Sequence, residues 1–507
     1  MLLAALVCTA APAAAAVDDQ PQGLTGSGAT LARVRALYDH ANPHERGRGM
    51  VQEEWRLFQD GIVGSLRVRR LGTNSRETTL LGPFASERGV VRGTHWEQTR
   101  NGIVFTTQGL RDRRDQIVER ALRGGEERDV RLAGESAALG AFVVELNPSG
   151  GYHEWIFIDK KTGYLVRREK VDRGRRVITT YDDYKIVDGA PDPSRIRVTD
   201  SLGNERDQIL TSRAVDETPD QHEFEMPAGR HLVTFTDRMQ AVRLPVRIVN
   251  GLIVVRVLVG KSGYDFLLDS GAAGIVVDPA VADQQNFERW GRRIGTTMGP
   301  YAESTAIAPA MTIGSLTLHN VVARVVPIPF RADDRTRIAG LLGFDFFADA
   351  VVHLDLERGV VEALAPDRFR PPADATAVAL SFDERIPALR TRVGPQMARA
   401  ILDTGANRSV FESAFAERAD FAPERIAATS VRGLGGTVRA ETARAPWIDL
   451  GGIPLRDPLV DVTASDIGGE DIDGLIGTDI MRGYDLWIDY RAAAAYVRLH
   501  PRAHLRR

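Results

Sequence analysis

Two segments of this chain carry the same landmarks at one constant spacing, and that repeat constrains its folding more than any other feature. Phe266-Leu267-Leu268-Asp269-Ser270-Gly271-Ala272 corresponds to Ala400-Ile401-Leu402-Asp403-Thr404-Gly405-Ala406, an offset of 403 minus 269, or 134. Gly340-Leu341-Leu342-Gly343 matches Gly474-Leu475-Ile476-Gly477 at the same offset. Asp345 and Asp479 keep it, as do Leu354-Asp355-Leu356 and Ile488-Asp489-Tyr490. No net insertion separates these landmarks. The halves therefore read as copies of one unit of roughly 130 residues, an ordinary size for a single core.

Each copy has the pattern of a β-rich unit. Leu252–Val259 and Asp265–Leu268 are short apolar runs, and Asn250-Gly251 is a hairpin turn signal. Short helices are expected after each Asp motif, at Pro279–Gln285 and Ser413–Arg418. Others are expected after each Gly-apolar-apolar-Gly motif, at Phe344–Ala348 and Asp479–Arg482.

Asp269 and Asp403 are the candidate catalytic residues. A duplicated unit can bring one carboxyl from each half to a common axis. Two like charges at close range do not both ionise easily, so such a pair shares one proton. The ionised member can take a proton from water while the protonated member polarises a carbonyl. Gly271 and Gly405 allow a tight turn and close approach of backbone N–H groups. Ser270 and Thr404 offer hydroxyls able to hydrogen-bond across the interface. One Asp-Ser/Thr-Gly is an ordinary turn sequence. Two copies with matched downstream glycines are far more specific.

These motifs resemble those of the pepsin and retroviral-type aspartic peptidase clan, most closely bacterial retropepsin-like proteins with two lobes in one chain. The resemblance covers about residues 240–500. It implies two homologous acid-protease-like β-barrel lobes, at 240–368 and 374–507, and peptide hydrolysis by the Asp269–Asp403 dyad without a cofactor or metal. It also implies a mobile hairpin flap over the cleft. Gly299-Pro300-Tyr301 and Gly433-Leu434-Gly435-Gly436 sit one repeat apart and are the flap-tip candidates, with Tyr301 in reach of substrate. The first half has Ser270 where many members of the clan have Thr.

The region before the repeat matches neither half. A helix is expected over Ala29–Ala41 and an amphipathic one over Arg111–Gly124. Strands are expected at Glu54–Phe58, Ser65–Val68, Phe142–Leu146, His153–Ile158, Leu165–Lys170 and Val177–Tyr184. That spacing suggests an antiparallel meander, so residues 30–235 read as an antiparallel β-rich α+β accessory domain. The whole chain is then mainly β. The strand rhythm is similar to that of periplasmic lipoprotein-carrier (LolA-like) domains, a resemblance that implies a lipid or apolar ligand. The bland alternative is a β-rich accessory or pro-domain with no ligand. A third reading has it inhibit the lobes until the linker near Pro227–Val233 is cut.

Leu2–Ala16 is short, apolar and Ala-rich, with small residues before Val17, as in an export signal, although no Lys or Arg precedes it. Residues 1–16 therefore read as a signal peptide and 17–29 as a linker, with a periplasmic or extracellular destination. Cys8, the only cysteine, falls inside that signal, so thiol chemistry and disulfides are not expected after cleavage. A net charge of −3 gives no support for nucleic acid as a partner. His40 and His44 have metal-ligand spacing, but Pro43 interrupts their helix. The expected protein is thus a monomeric exported endopeptidase acting on polypeptide. The alternative is a non-catalytic envelope carrier that retains the fold.

Overall fold

The fold is that of a computed structural model, which describes residues 20–42, 49–124, 127–172, 175–187, 190–216, 220–235, 241–297, 299–423, 429–467 and 471–500. The signal-like stretch Leu2–Ala16 with Cys8, and also His44, lie outside the described residues. The chain is mainly β and forms two compact units. No described helix is long and apolar enough to cross a membrane.

The smaller unit holds the described residues within 1–44, 114–193 and 198–201. Its strands Val130–Ser136, Ala141–Leu146, Glu154–Asp159, Leu165–Asp172 and Arg175–Val187 pair antiparallel in sequence order. Helices Leu31–Ala41 and Leu110–Gly124 cover one face, burying Val34, Tyr38, Val118 and Leu122 against Val144 and Ile156. Thr30 caps the first helix by accepting the Arg33 N–H.

The larger unit takes in the described residues within 45–113, 194–197 and 202–507. It begins with a meander running from Met50–Gln59 to Val104–Thr107. Two-residue turns such as Asp60-Gly61 and Arg92-Gly93, all at positive φ, set its register.

Two β-rich lobes follow. In the first, Ser262–Leu268 pairs parallel with Gly340–Leu342; in the second, Gln396–Leu402 pairs parallel with Gly474–Ile476, in the same register one repeat later. All four expected short helices are present, at Pro279–Gln284, Phe344–Asp349, Ser413–Arg418 and Thr478–Met481. Strands from both lobes share a sheet in which Val351–Asp355 lies beside Tyr484–Asp489. There His353 pairs with Trp487, its own repeat mate, and the rings stack at 4.5 Å. Equivalent residues facing each other mark a local two-fold axis.

The hairpin Thr94–Thr107 joins the lobe core. Ile103 and Phe105 are buried in the same apolar cluster as Phe344, Phe382 and Tyr490. The Asn101 side chain bonds both the N–H and the carbonyl of Val322, at 2.7 and 3.0 Å. Gln108 does the same across strand Thr376–Asp383, accepting from Phe382 N and donating to Leu380 O. One hairpin therefore grips a strand of each lobe.

Candidate active site

Each Asp motif leaves its strand at a turn fixed from below. Asp269 N–H donates to Leu342 O and Asp403 N–H to Ile476 O, both at 3.0 Å. Phe344 N–H and Thr478 N–H close the turns on Ala272 O and Ala406 O. The Gly-apolar-apolar-Gly segments thus form the floor that holds the carboxylates.

The turns interlock. Thr404 Oγ1 accepts the Ser270 N–H at 2.9 Å and donates to Leu268 O at 2.8 Å. Ser270 Oγ accepts the Thr404 N–H at 2.9 Å and donates to Leu402 O at 2.7 Å. Both residues are fully buried. Replacing Thr404 by alanine strips these partners from Ser270 N–H and Leu268 O. An unpaired buried group costs about 1–3 kcal/mol. The Thr404→Ala variant is expected to show a clearly lower denaturant midpoint, with most of the loss recovered in Thr404→Ser. Equal midpoints for wild type and Thr404→Ala would refute the role of this lattice.

The two carboxyls lie close enough for each to act on the ionisation of the other. Each also faces the other turn's glycine. A Cβ on Gly271 would lie 2.7 Å from Asp403 Cγ, and one on Gly405 would lie 2.5 Å from Asp269 Cγ. Here the need for glycine is closeness of approach. Gly405 N–H donates to Asp403 Oδ1 at 2.8 Å, and Gly271 N–H bears on both carboxyls.

Both aspartates keep part of their surface open to solvent while their carboxyls lie deep among protein atoms. Burial pushes both carboxyls above the usual aspartate range, and the charge of Asp403 pushes Asp269 further. N–H groups of Gly271, Ala272, Gly405 and Ala406 work against this. The result is a pair suited to holding one proton between them.

The flap-tip candidates meet. Gly435 N–H donates to Thr297 O at 3.0 Å, and a Cβ on Gly299 would come 2.2 Å from Gly435 O. Gly433 pairs with Gly436 to close the second hairpin. Leu434, from the second lobe's hairpin, packs in the first lobe's apolar cluster with Ala272, Leu267, Val276 and Leu341. The repeat mates Ala406, Ile401, Val410 and Leu475 form a matching cluster in the second lobe. Tyr301 stays within its own lobe: its ring lies against Gly295, and its hydroxyl accepts from Arg324 Nη2 at 3.0 Å.

The acids after the glycine motifs are treated differently in the two lobes. Asp479 accepts from Ser409 N and Oγ, at 3.0 and 2.7 Å. The first lobe has Ile275 at that position. Asp345 faces Thr99 and Asn101 of the early hairpin as well as the Ile275 N–H, and its Oδ1 has no hydrogen-bond partner among the described residues. Burial raises its pKa, opposed by Arg385 and by those polar side chains.

Asp355, Asp485 and His500 lie close enough together to hold a metal ion. Their acids already carry cations: Arg358 on Asp355 at 3.0 Å and Arg498 on Asp485 at 2.7 Å. The group lies on the sheet shared by the lobes.

A family profile described as aspartyl protease matches the chain twice. It aligns with residues 253–346 and with residues 390–480. Each match takes in one Asp motif and its downstream glycines. The lobes have an aspartic-protease-like fold. No curated protein matches the chain in sequence. Among solved structures, the chain is similar to an aspartic proteinase from Irpex lacteus, with 13% identity over 52% of this chain and 98% of that one, at a TM-score of 0.35. It is also similar to a LolA superfamily protein from Nitrosomonas europaea, with 13% identity over 39% of this chain and 98% of that one, at a TM-score of 0.29.

Sequence reasoning singled out Asp269, Asp403 and their flanking residues, but not three further contributors. Tyr490 appeared there only as part of a matching motif; its signal was a mismatch inside the repeat, Tyr against Leu356. Thr99 and Asn101 carried no local signal, since only the chain's path brings them to Asp345.

Proposed function

We propose that this protein is an exported aspartic endopeptidase whose catalytic groups are Asp269 and Asp403. The observation that carries the reading is the reciprocal pair of turns, with each carboxyl packed on the opposite turn's glycine. In this mechanism a water sits between the carboxyls. The ionised aspartate takes its proton as the water oxygen attacks the scissile carbonyl carbon. The protonated aspartate gives its proton to the carbonyl oxygen, leaving a neutral tetrahedral diol. Collapse of the diol breaks the C–N bond. The proton gained from water passes to the leaving nitrogen, and a diol hydroxyl returns its proton to the other carboxyl. No cofactor enters the chemistry.

The hairpins ending at Gly299 and Gly435 are proposed as a pair of flaps that part to admit an extended polypeptide. The apolar clusters of the two lobes favour apolar side chains on either side of the cut bond. We read each lobe as an acid-protease-type barrel. In the first lobe this is supported by strand Pro300–Ile313, which pairs with both Leu252–Val259 and Leu316–Val325. Export rests on the signal-like Leu2–Ala16. Lipid binding by the early β-rich region has no comparable geometric support, and the grip of residues 101–108 on both lobes favours a structural part for that hairpin.

The test is hydrolysis of unfolded casein by the purified full chain, from about pH 3 to pH 8, with and without a transition-state mimic of aspartic peptidases. Cleavage that the mimic stops is the expected outcome. No cleavage at any pH would leave the carrier reading in its place.

A further inference from the structure

The dyad turns obey the repeat closely, so a departure from it stands out. Tyr490 is buried at 2% exposure, and its hydroxyl donates to the Ser270 carbonyl oxygen at 2.8 Å. Its repeat mate is Leu356, which has no hydroxyl to offer the second turn. The phenol is held on target by rings: Phe382 at 5.0 Å and Phe344 and Phe347 at 5.4 Å between centroids.

Ser270 O belongs to the peptide unit whose other end is the Gly271 N–H. That N–H bears on both carboxyls. A hydrogen bond accepted by a peptide oxygen polarises the unit and strengthens its N–H as a donor. We infer that Tyr490 is a positioning residue that makes the two turns electrostatically unequal, strengthening the Gly271 N–H and so favouring the singly ionised dyad.

The surroundings leave this path uncluttered. The charges that bear on the phenol are Asp269 and Asp403. On the helix carrying Phe344 and Phe347, Asp345 faces Thr99 and Asn101, and Asp349 is taken by His231 and by the N–H groups of Leu232 and Val233. Beside Tyr490 in the chain, Asp489 accepts from Ala492 N and Arg491 pairs with Asp367. Asp383 ends the strand that carries Phe382, with Glu384 and Arg385 following it; Glu384 pairs with Arg111.

The inference rests on the peptidase reading, and one experiment separates the two. Tyr490→Phe keeps the ring and removes only the hydroxyl. Peptide hydrolysis is followed across pH for wild type and variant. The expected result is an acid limb moved upward by about half a pH unit to one unit, so that activity at the foot of the limb falls about 3- to 10-fold. KM should change little, and rates should converge above the limb. Tyr490→Leu, which copies the other lobe, should move the limb the same way. If wild type cleaves and the Tyr490→Phe profile superimposes on it, this inference falls and the peptidase reading stands. A loss uniform across pH would mean a packing role only and would also overturn it. An inactive wild type removes both.

Discussion

Asp269→Asn is expected to lose about 10²- to 10⁴-fold in casein hydrolysis, the range carried by a positioned acid or base, and Asp403→Asn the same. An amide can neither take a proton from the attacking water nor give one to the carbonyl oxygen. The losses should not add in the double variant, because the carboxyls act as one unit. Stability should move the other way. Both carboxyls have folded-state pKa values raised by burial. Such a group contributes stability that is fully present below the unfolded aspartate pKa of about 3.9 and is lost as pH rises through the folded value. Asparagine has no such loss. Each Asn variant should therefore be more stable than wild type near neutral pH, with the difference closing in acid. Full activity in either single variant would refute the dyad. A wild type as stable at neutral pH as its Asn variants would refute the burial argument.

Phe105→Ala is expected to destabilise the lobes by about 3–5 kcal/mol, the usual cost of emptying a buried aromatic site. Phe105 is 6% exposed and packs on Phe344 at 4.7 Å and Phe382 at 6.2 Å, one ring from each lobe. Phe344 starts the helix above the first floor segment and also meets Tyr490. A hole here loosens the lobes where they are bridged, directly behind the Ser270 turn. Chemical denaturation of the full chain measures the effect. A loss below about 0.5 kcal/mol would be within the range of surface substitutions and would show that the hairpin is not part of the lobe core. The same packing bears on processing. Cutting near Pro227–Val233 would not free the lobes of the hairpin, which Asn101 and Gln108 hold by backbone bonds to each.

The lobes were legible because their order is written locally and then repeated. Apolar strands ending in Asp-Ser/Thr-Gly, turn pairs such as Asn250-Gly251, and helix starts such as Asp278 before Pro279 each specify their own geometry. The 134-residue offset then pairs the carboxyls from sequence alone. The same local logic located the two hairpin turns at Gly299 and Gly433–Gly436. It did not place them against each other, because contact between loops far apart in sequence depends on how the lobes are oriented.

The sequence by itself determined the duplicated β-rich unit, the two aspartates with their hydroxyl and glycine partners, and the turn chemistry around them. Tertiary structure alone decided what packs behind the floor of the first turn and what breaks the symmetry of the pair. Phe105, Thr99 and Asn101 come from a hairpin more than one hundred residues upstream, and Tyr490 reaches Ser270 across 220 positions. Such contacts leave no periodicity or spacing to read. They are fixed by which buried surfaces fit and which buried polar groups find partners once the chain has closed.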